Sequence, residues 1–182
     1  MPENFFNVNE ADLVFVDTEM TGLDLRHELI QIGFLRVQAG TGTVLVEKDI
    51  KIKPTRIEQA NPEALAIVGY TEEDWAEAID LKTGLEQFLE HTNEAVLVGH
   101  NLAFDWMQIK KSLESVGLEP NYFYKGLDTF SLAWQKLSGK PDFTKFSLAE
   151  LSTYFGIDQG QKHRALDDAR TTLAVFKKLQ EL

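Results

Sequence analysis

The sequence predicts an α/β fold, a mixed sheet of three antiparallel strands followed by parallel strands, covered by helices. Two observations carry this expectation. Apolar or alternating segments at 13–19, 28–37 and 43–54 lie close together and are joined only by turns, the pattern of an antiparallel meander. After Pro54 the period lengthens to that of helices, and short apolar strands then alternate with helices to the end of the chain.

LVFVDTE (13–19) opens on four apolar residues, as a strand buried on both faces must. ELIQIGFLRV (28–37) alternates in part, and MTGLDLRH between the two carries the Gly and Asp of a turn. TVLVEKDIKIKP (43–54) alternates and stops at its proline. Helices are expected over about 62–69, 71–79 and 81–91, with Thr71 and Asp74 placed as a capping box. AVLVGHN (95–101) reads as a short buried strand, followed by a helix over about 102–116 that Gly117 ends. YFYKGLD (122–128) is a weaker strand, and Asp128 is placed as the N-cap of a helix over 129–137. Ser147 and Glu150 form a second capping box, with Phe146 and Leu151 as a hydrophobic staple, on a helix that stops at Gly156. A last helix runs from about 164 to the C-terminus.

At 182 residues, 43% hydrophobic and 26% charged, the chain has the make-up of one globular domain over 1–182, with a short extension over about 1–11. It has no run of 18 apolar residues, so no membrane span is expected, and its start (MPENFFNVNEADL) does not read as a signal peptide. Zero cysteines exclude disulfides and thiolate metal sites, and the expected location is the cytoplasm. The net charge of −11 belongs to the first half. Residues 1–91 hold 7 Lys/Arg against 18 Asp/Glu, and residues 92–182 hold 11 of each. That balance argues against tight, extended binding to a nucleic-acid duplex. It leaves room for a local positive patch from Lys110, Lys111, Lys136, Lys140, Lys145, Lys162, Arg164 and Arg170, each of which also reads as a solvated helix face.

The chemistry sits in the acids. Asp17 and Glu19 are two residues apart at the end of a core strand, so their carboxylates project from one face. In the last helix the apolar stripe is Ala165, Ala169, Leu173, Phe176 and Leu179. At 100° per residue Asp168 lies about 80° from the centre of that stripe, and Asp167 lies roughly on the opposite side, toward solvent. In the helix after 101 the stripe is Leu102, Trp106, Ile109, Leu113 and Val116, and Asp105 falls about 60° from Leu102, again at the buried margin. A charge at such a margin is costly unless it is paired or ligates a metal. Four converging acids need cations among them, and Mg²⁺ and Mn²⁺ prefer oxygen ligands. Two such ions can clamp the attacking and leaving oxygens of a phosphodiester displacement. His163, on the loop GIDQGQKH ahead of the last helix, is the candidate general base, with an ordinary pKa of about 6.5. His27, His91 and His100 have weaker claims.

These residues resemble three motifs of the DEDDh 3′→5′ exonucleases. Asp17-Thr-Glu19-Met-Thr-Gly-Leu is similar to the first, His100-Asn-Leu-Ala-Phe-Asp105 to the second, and His163-Arg-Ala-Leu-Asp-Asp168-Ala-Arg to the third. Their order and spacing extend the resemblance over about residues 12–180. It implies a ribonuclease H-like fold, two Mg²⁺ or Mn²⁺ ions, and stepwise release of nucleoside monophosphates from the 3′ end of a single strand. Carried over by position, Asp17, Glu19, Asp105 and Asp168 are metal ligands and His163 is the base. Met20, Thr21 and Leu23 match positions lining the terminal-nucleotide pocket, with Asn101 and Phe104 nearby; Asn101 reads equally as a helix N-cap. Met20 resembles oligoribonuclease. The His-Asn-Leu-Ala-Phe-Asp motif is more similar to the proofreading exonuclease of bacterial DNA polymerase III, which implies DNA as substrate and a DNA polymerase or other replication or repair partner.

A haloacid dehalogenase-type phosphatase would need a second aspartate where Glu19 stands. A non-catalytic interaction module would have no need of four acids and a histidine. An RNA-trimming exonuclease would keep every one of these groups and differ in recognising the 2′-hydroxyl.

Overall fold

The computed structural model describes residues 7–160 and 164–182. The meander forms as expected, from β1 (Leu13–Met20), β2 (Leu29–Val37) and β3 (Val44–Lys51), each antiparallel to the next. Two parallel strands, β4 (Val96–Gly99) and β5 (Leu127–Asp128), extend the sheet on the far side of β1, in the order β3-β2-β1-β4-β5. The helices are α1 (Pro62–Val68), α2 (Leu81–Thr92), α3 (Leu102–Ser115), α4 (Thr129–Leu137), α5 (Leu148–Phe155) and α6 (Ala165–Gln180).

The sheet is covered on both faces. Val14, Val16 and Met20 of β1 pack with Ile32 and Phe34 of β2 against α2 and α3, through Leu85, Phe88, Ile109 and Leu113. Phe15 turns to the other face with Leu35, Val37 and Val98, and meets Ala169, Leu173 and Phe176 of α6. Strand alternation therefore sends even-numbered residues of β1 to α3 and odd-numbered ones to α6. Among the described residues no helix is long and apolar enough to cross a membrane.

Three expected elements come out differently. The third strand stops at Lys51, and Ile52 makes an isolated parallel bridge to Ile79. That bridge also explains why residues 71–79 form turns rather than a helix. Ile79 must extend to bond Lys51 and Lys53, while the Trp75 indole is 2% exposed and donates to the Ile30 carbonyl at 3.1 Å. Tertiary anchoring outweighs helix propensity here, although the Thr71 hydroxyl still accepts the Asp74 N–H. The strand expected at 122–128 shrinks to two residues. The caps hold: Ser147 and Glu150 form the reciprocal box, and Asp128 accepts from the Phe130 N–H.

Candidate active site

β1 delivers the first two acids. Asp17 and Glu19 follow Phe15 in the odd-numbered register, so they project toward α6, whose first turn carries Asp168. Carboxylate oxygens of Asp17, Glu19 and Asp168 lie within 4.8 Å of one another. The helix start favours negative charge there, because its free N–H groups carry partial positive charge. α6 reaches so far in because Gly33, the β2 partner of Asp17, has no side chain. A Cβ on Gly33 would overlap the Leu166 amide nitrogen and the Ala165 carbonyl carbon.

Asp105 arrives from the opposite face. It lies in the first turn of α3, 5% exposed, and its Oδ1 accepts from the Thr18 N–H at 2.9 Å and the Thr18 hydroxyl at 2.6 Å. Sheet geometry allows this approach. β1 pairs with β4 only over Leu13–Phe15, so the strand continues past its neighbour and the Thr18 N–H is left for a carboxylate. Four acids thus converge at the tip of one strand, three from the α6 face and one from the α3 face.

Their electrostatics are those of a crowded anionic cluster. Burial pushes the Asp17 carboxyl well above its ordinary range, reinforced by Asp105, Asp168 and Glu19. Glu19 is pushed up to about 8 by burial and then by Asp168 and Asp105, with Arg164 pulling the other way. Burial raises Asp105 to about 7 against the lowering effect of the two Thr18 hydrogen bonds. Like charges at this spacing stay ionised together only with a cation among them. An all-oxygen, partly buried donor set fits a hard divalent ion.

Beside the acids opens a cavity of about 340 Å³, lined by Glu19, Met20, Leu23 and Phe104, and across from them by Asn61, Ala64 and Ile67 of the α1 segment. Leu23 stands 81% exposed at its edge. Thr21 and Asn101 have other partners in the fold. Thr21 is 2% exposed, and its hydroxyl accepts the Glu28 N–H at 2.8 Å, so it closes the β1–β2 loop instead of lining the cavity. Asn101 occupies the N-cap position of α3 in the left-handed region (φ 64°), without a side-chain cap; its N–H donates to Asp128 Oδ1 at 3.0 Å. His163 lies outside the described residues. Asp167 pairs with Arg170 at 2.9 Å, and Arg170 reaches Glu47 at 2.7 Å. The other histidines serve the fold: His27 Nδ1 accepts the Asp24 N–H, the His91 ring lies 6.0 Å from that of Phe34, and His100 Nδ1 is 3.0 Å from the Thr129 hydroxyl.

Sequence reasoning missed the roles of Thr18 and Gly33 and the use of the expected 62–69 helix as a wall, and it read Arg164 only as a patch residue or a solvated charge. Thr18 and Gly33 act through a strand edge and an interlayer contact, which no local pattern reveals. α1 did carry a signal. Asn61-Pro62 is an N-cap followed by an N1 proline, and Gly69 ends the helix in the left-handed conformation. Arg164, whose guanidinium lies 3.7 Å from Asp74, stands directly after the expected base.

A mixed sheet with acids gathered at the tip of its central strand defines a carboxylate cluster suited to a hard divalent ion. The chain belongs to the RNase_T family, described as exonuclease, whose family model matches residues 14–176. It is 31% identical over 175 residues to the PolC-type DNA polymerase III of Thermotoga maritima, covering 95% of this chain and 12% of that protein. Against the DNA polymerase III subunit epsilon of Aquifex aeolicus it is 29% identical over 184 residues, covering 96% of this chain and 83% of the relative. The chain therefore spans about 12% of the length of the PolC-type relatives it matches. In fold it is similar to E. coli exonuclease I in a zinc-bound complex with single-stranded DNA, with a TM-score of 0.81, 18% identity, and coverage of 94% of this chain and 41% of that one. The ribonuclease H-like α/β expectation stands, and so does the assignment to the exonucleases. Members of this family depend on divalent metal.

Proposed function

We propose that this chain is a 3′→5′ exonuclease domain, occupying residues 1–182 as one unit, that trims single-stranded nucleic acid, DNA in preference to RNA. The observation that carries the reading is the approach of Asp17, Glu19 and Asp168 within 4.8 Å, with Asp105 held beside them by Thr18. These four acids would hold two ions, Mg²⁺ or Mn²⁺. When bound, such ions fix the attacking and leaving oxygens of a phosphodiester displacement and stabilise the developing charge.

The chain's own residues do the rest. Met20, Leu23 and Phe104 receive the terminal nucleoside in the cavity, with Thr21 bracing the loop and Asn101 the start of α3. A water attacks the terminal phosphodiester phosphorus and the bond to the preceding 3′ oxygen breaks. His163 takes the proton from the water, an assignment that rests on its place five residues before Asp168. A proton returns to the departing 3′ oxygen, leaving a strand shorter by one nucleotide and a nucleoside monophosphate. The DNA preference, a DNA polymerase or other replication or repair partner, and residence in the cytoplasm draw support from the polymerase subunits among the relatives.

The test uses 5′-labelled single-stranded DNA and RNA with Mg²⁺, Mn²⁺ or chelator. The expected result is a ladder shortening from the 3′ end, faster on DNA, absent with chelator and in Asp17→Ala. Cleavage that survives chelation, or none on either strand, contradicts the reading; a faster RNA ladder reverses only the substrate preference.

A further inference from the structure

The chain is acidic overall, yet one strip of it is not. Between Tyr122 and Ser147 stand Lys125, Lys136, Lys140 and Lys145 against only Asp128 and Asp142. Asp128 is already engaged in capping α4 and holding the Asn101 N–H. All four lysines are exposed.

The same strip displays aromatic rings. Trp134 is 58% exposed and Phe130, one turn earlier on the same face of α4, is 38% exposed. From Phe130 a chain of rings, partly buried at Phe146 and buried at Phe143, runs across the α4–α5 connection to the exposed Tyr154. Phe130 meets Phe146 at 6.5 Å, Phe146 stacks on Phe143 at 4.8 Å, and Phe143 meets Tyr154 at 4.9 Å. Lys140 donates to the Tyr154 hydroxyl at 2.6 Å, and Lys145 adjoins Phe146. Phe146 adopts φ 52°, a left-handed conformation that a bulky residue takes only at a cost.

This surface begins at the candidate active site. His100 Nδ1 lies 3.0 Å from the Thr129 hydroxyl and the Asn101 N–H donates to Asp128, so the start of α4 is tied to the start of α3, where Asp105 sits. Exposed rings interleaved with lysines are the physical requirement for sequence-tolerant binding of a single strand, through base stacking and phosphate attraction.

We propose that the outer face of α4 and the α4–α5 connection form a second binding surface, where bases on the 5′ side of the nucleotide being removed stack on Trp134 and Phe130. Lys140 and Lys145 hold the accompanying phosphates. The inference rests on the exonuclease reading and adds to it a grip on strand length.

The test compares KM for a dithymidylate and for a twelve-nucleotide oligothymidylate in wild type, Trp134→Ala and the Phe130→Ala/Trp134→Ala pair, with thermal melts to confirm folding. Each lost ring should raise KM for the twelve-mer about tenfold, so that the preference for the longer strand collapses, whereas Trp134→Phe retains it. Lys140→Gln and Lys145→Gln should each lower the slope of log affinity against log salt by about 0.7. An unchanged length preference in the double variant overturns the proposal while leaving the exonuclease reading intact. No cleavage of either strand by the wild-type protein overturns the exonuclease reading itself.

Discussion

Gly33 lies so close beneath the first turn of α6 that any side chain on it would occupy the space of the Leu166 amide. Its strand partner is Asp17. One missing methyl group therefore sets the distance between the strand that carries Asp17 and Glu19 and the helix that carries Asp168. Gly33→Ala should lift the start of α6, destabilise the protein by about 1–3 kcal/mol as an overpacked core does, and weaken divalent-ion binding as well. A melt with and without Mn²⁺ checks both. A variant that is destabilised but keeps the full Mn²⁺ shift would separate α6 seating from metal binding.

Thr18 holds Asp105 through two hydrogen bonds, and only the hydroxyl can be removed by mutation. Thr18→Val should cost about 1–3 kcal/mol, the penalty of under-satisfying a buried acceptor. It should also push the Asp105 carboxyl, already raised to about 7, higher still. The rising limb of the pH–rate profile then moves to higher pH, with activity partly recovered in alkali. An unshifted limb would mean that Asp105 ionisation does not limit turnover.

The metal-free protein should lose stability as pH rises. Glu19 goes up to about 8 and Asp105 to about 7 in the folded chain. A carboxyl raised on folding favours the native state below its unfolded pKa of about 4, and that contribution disappears as pH climbs through the folded value. The window is therefore about pH 4 to 8. Melting temperature in chelator should fall across it, and the increment from Mg²⁺ should grow with pH, because bound cations favour the ionised acids. A flat melting temperature in chelator would contradict the protonated cluster.

Lys111, read from sequence as a patch residue or a solvated charge, is instead a clamp. Its ammonium donates to the Leu25 and His27 carbonyls at 2.8 and 2.7 Å and to Gln108 Oε1 at 2.7 Å. It ties α3, which carries Phe104 and Asp105, to the loop that carries Leu23. Lys111→Met should loosen this loop, raising KM for oligonucleotides by roughly tenfold, about 1.4 kcal/mol, with the Mn²⁺ melting shift retained. A fall in kcat at constant KM would place its role elsewhere.

What the sequence disclosed follows physical lines. Period and turn chemistry disclosed the meander, the parallel additions and the caps at Ser147 and Asp128, because those signals are local. Helix phase alone separated Asp168 from Asp167, and strand alternation put Asp17 and Glu19 on one face. Residues 71–79 misled because Trp75 and Ile79 answer to β2 and β3 rather than to their own neighbours. The roles of Thr18, Gly33 and Lys111 depend on which layer lies against which, so no local pattern carries them. Motif position alone placed Thr21, and it marks a loop without the direction of a side chain, whereas Asn101 stands at the N-cap position also read for it.

In the proposed exonuclease, strand and helix geometry select which acids would hold the metal. The adjacent aspartates of α6 test this most directly, through single-turnover release of the 3′-terminal nucleotide in Mn²⁺ by Asp168→Asn and Asp167→Asn. Even a partner behind a metal ligand costs about 10–100-fold, so Asp168→Asn should lose more than about 100-fold. Asp167→Asn, which weakens the half-exposed pairing to Arg170, should stay within about threefold, less than 1 kcal/mol. Equal losses, or a greater loss at Asp167, would contradict the account.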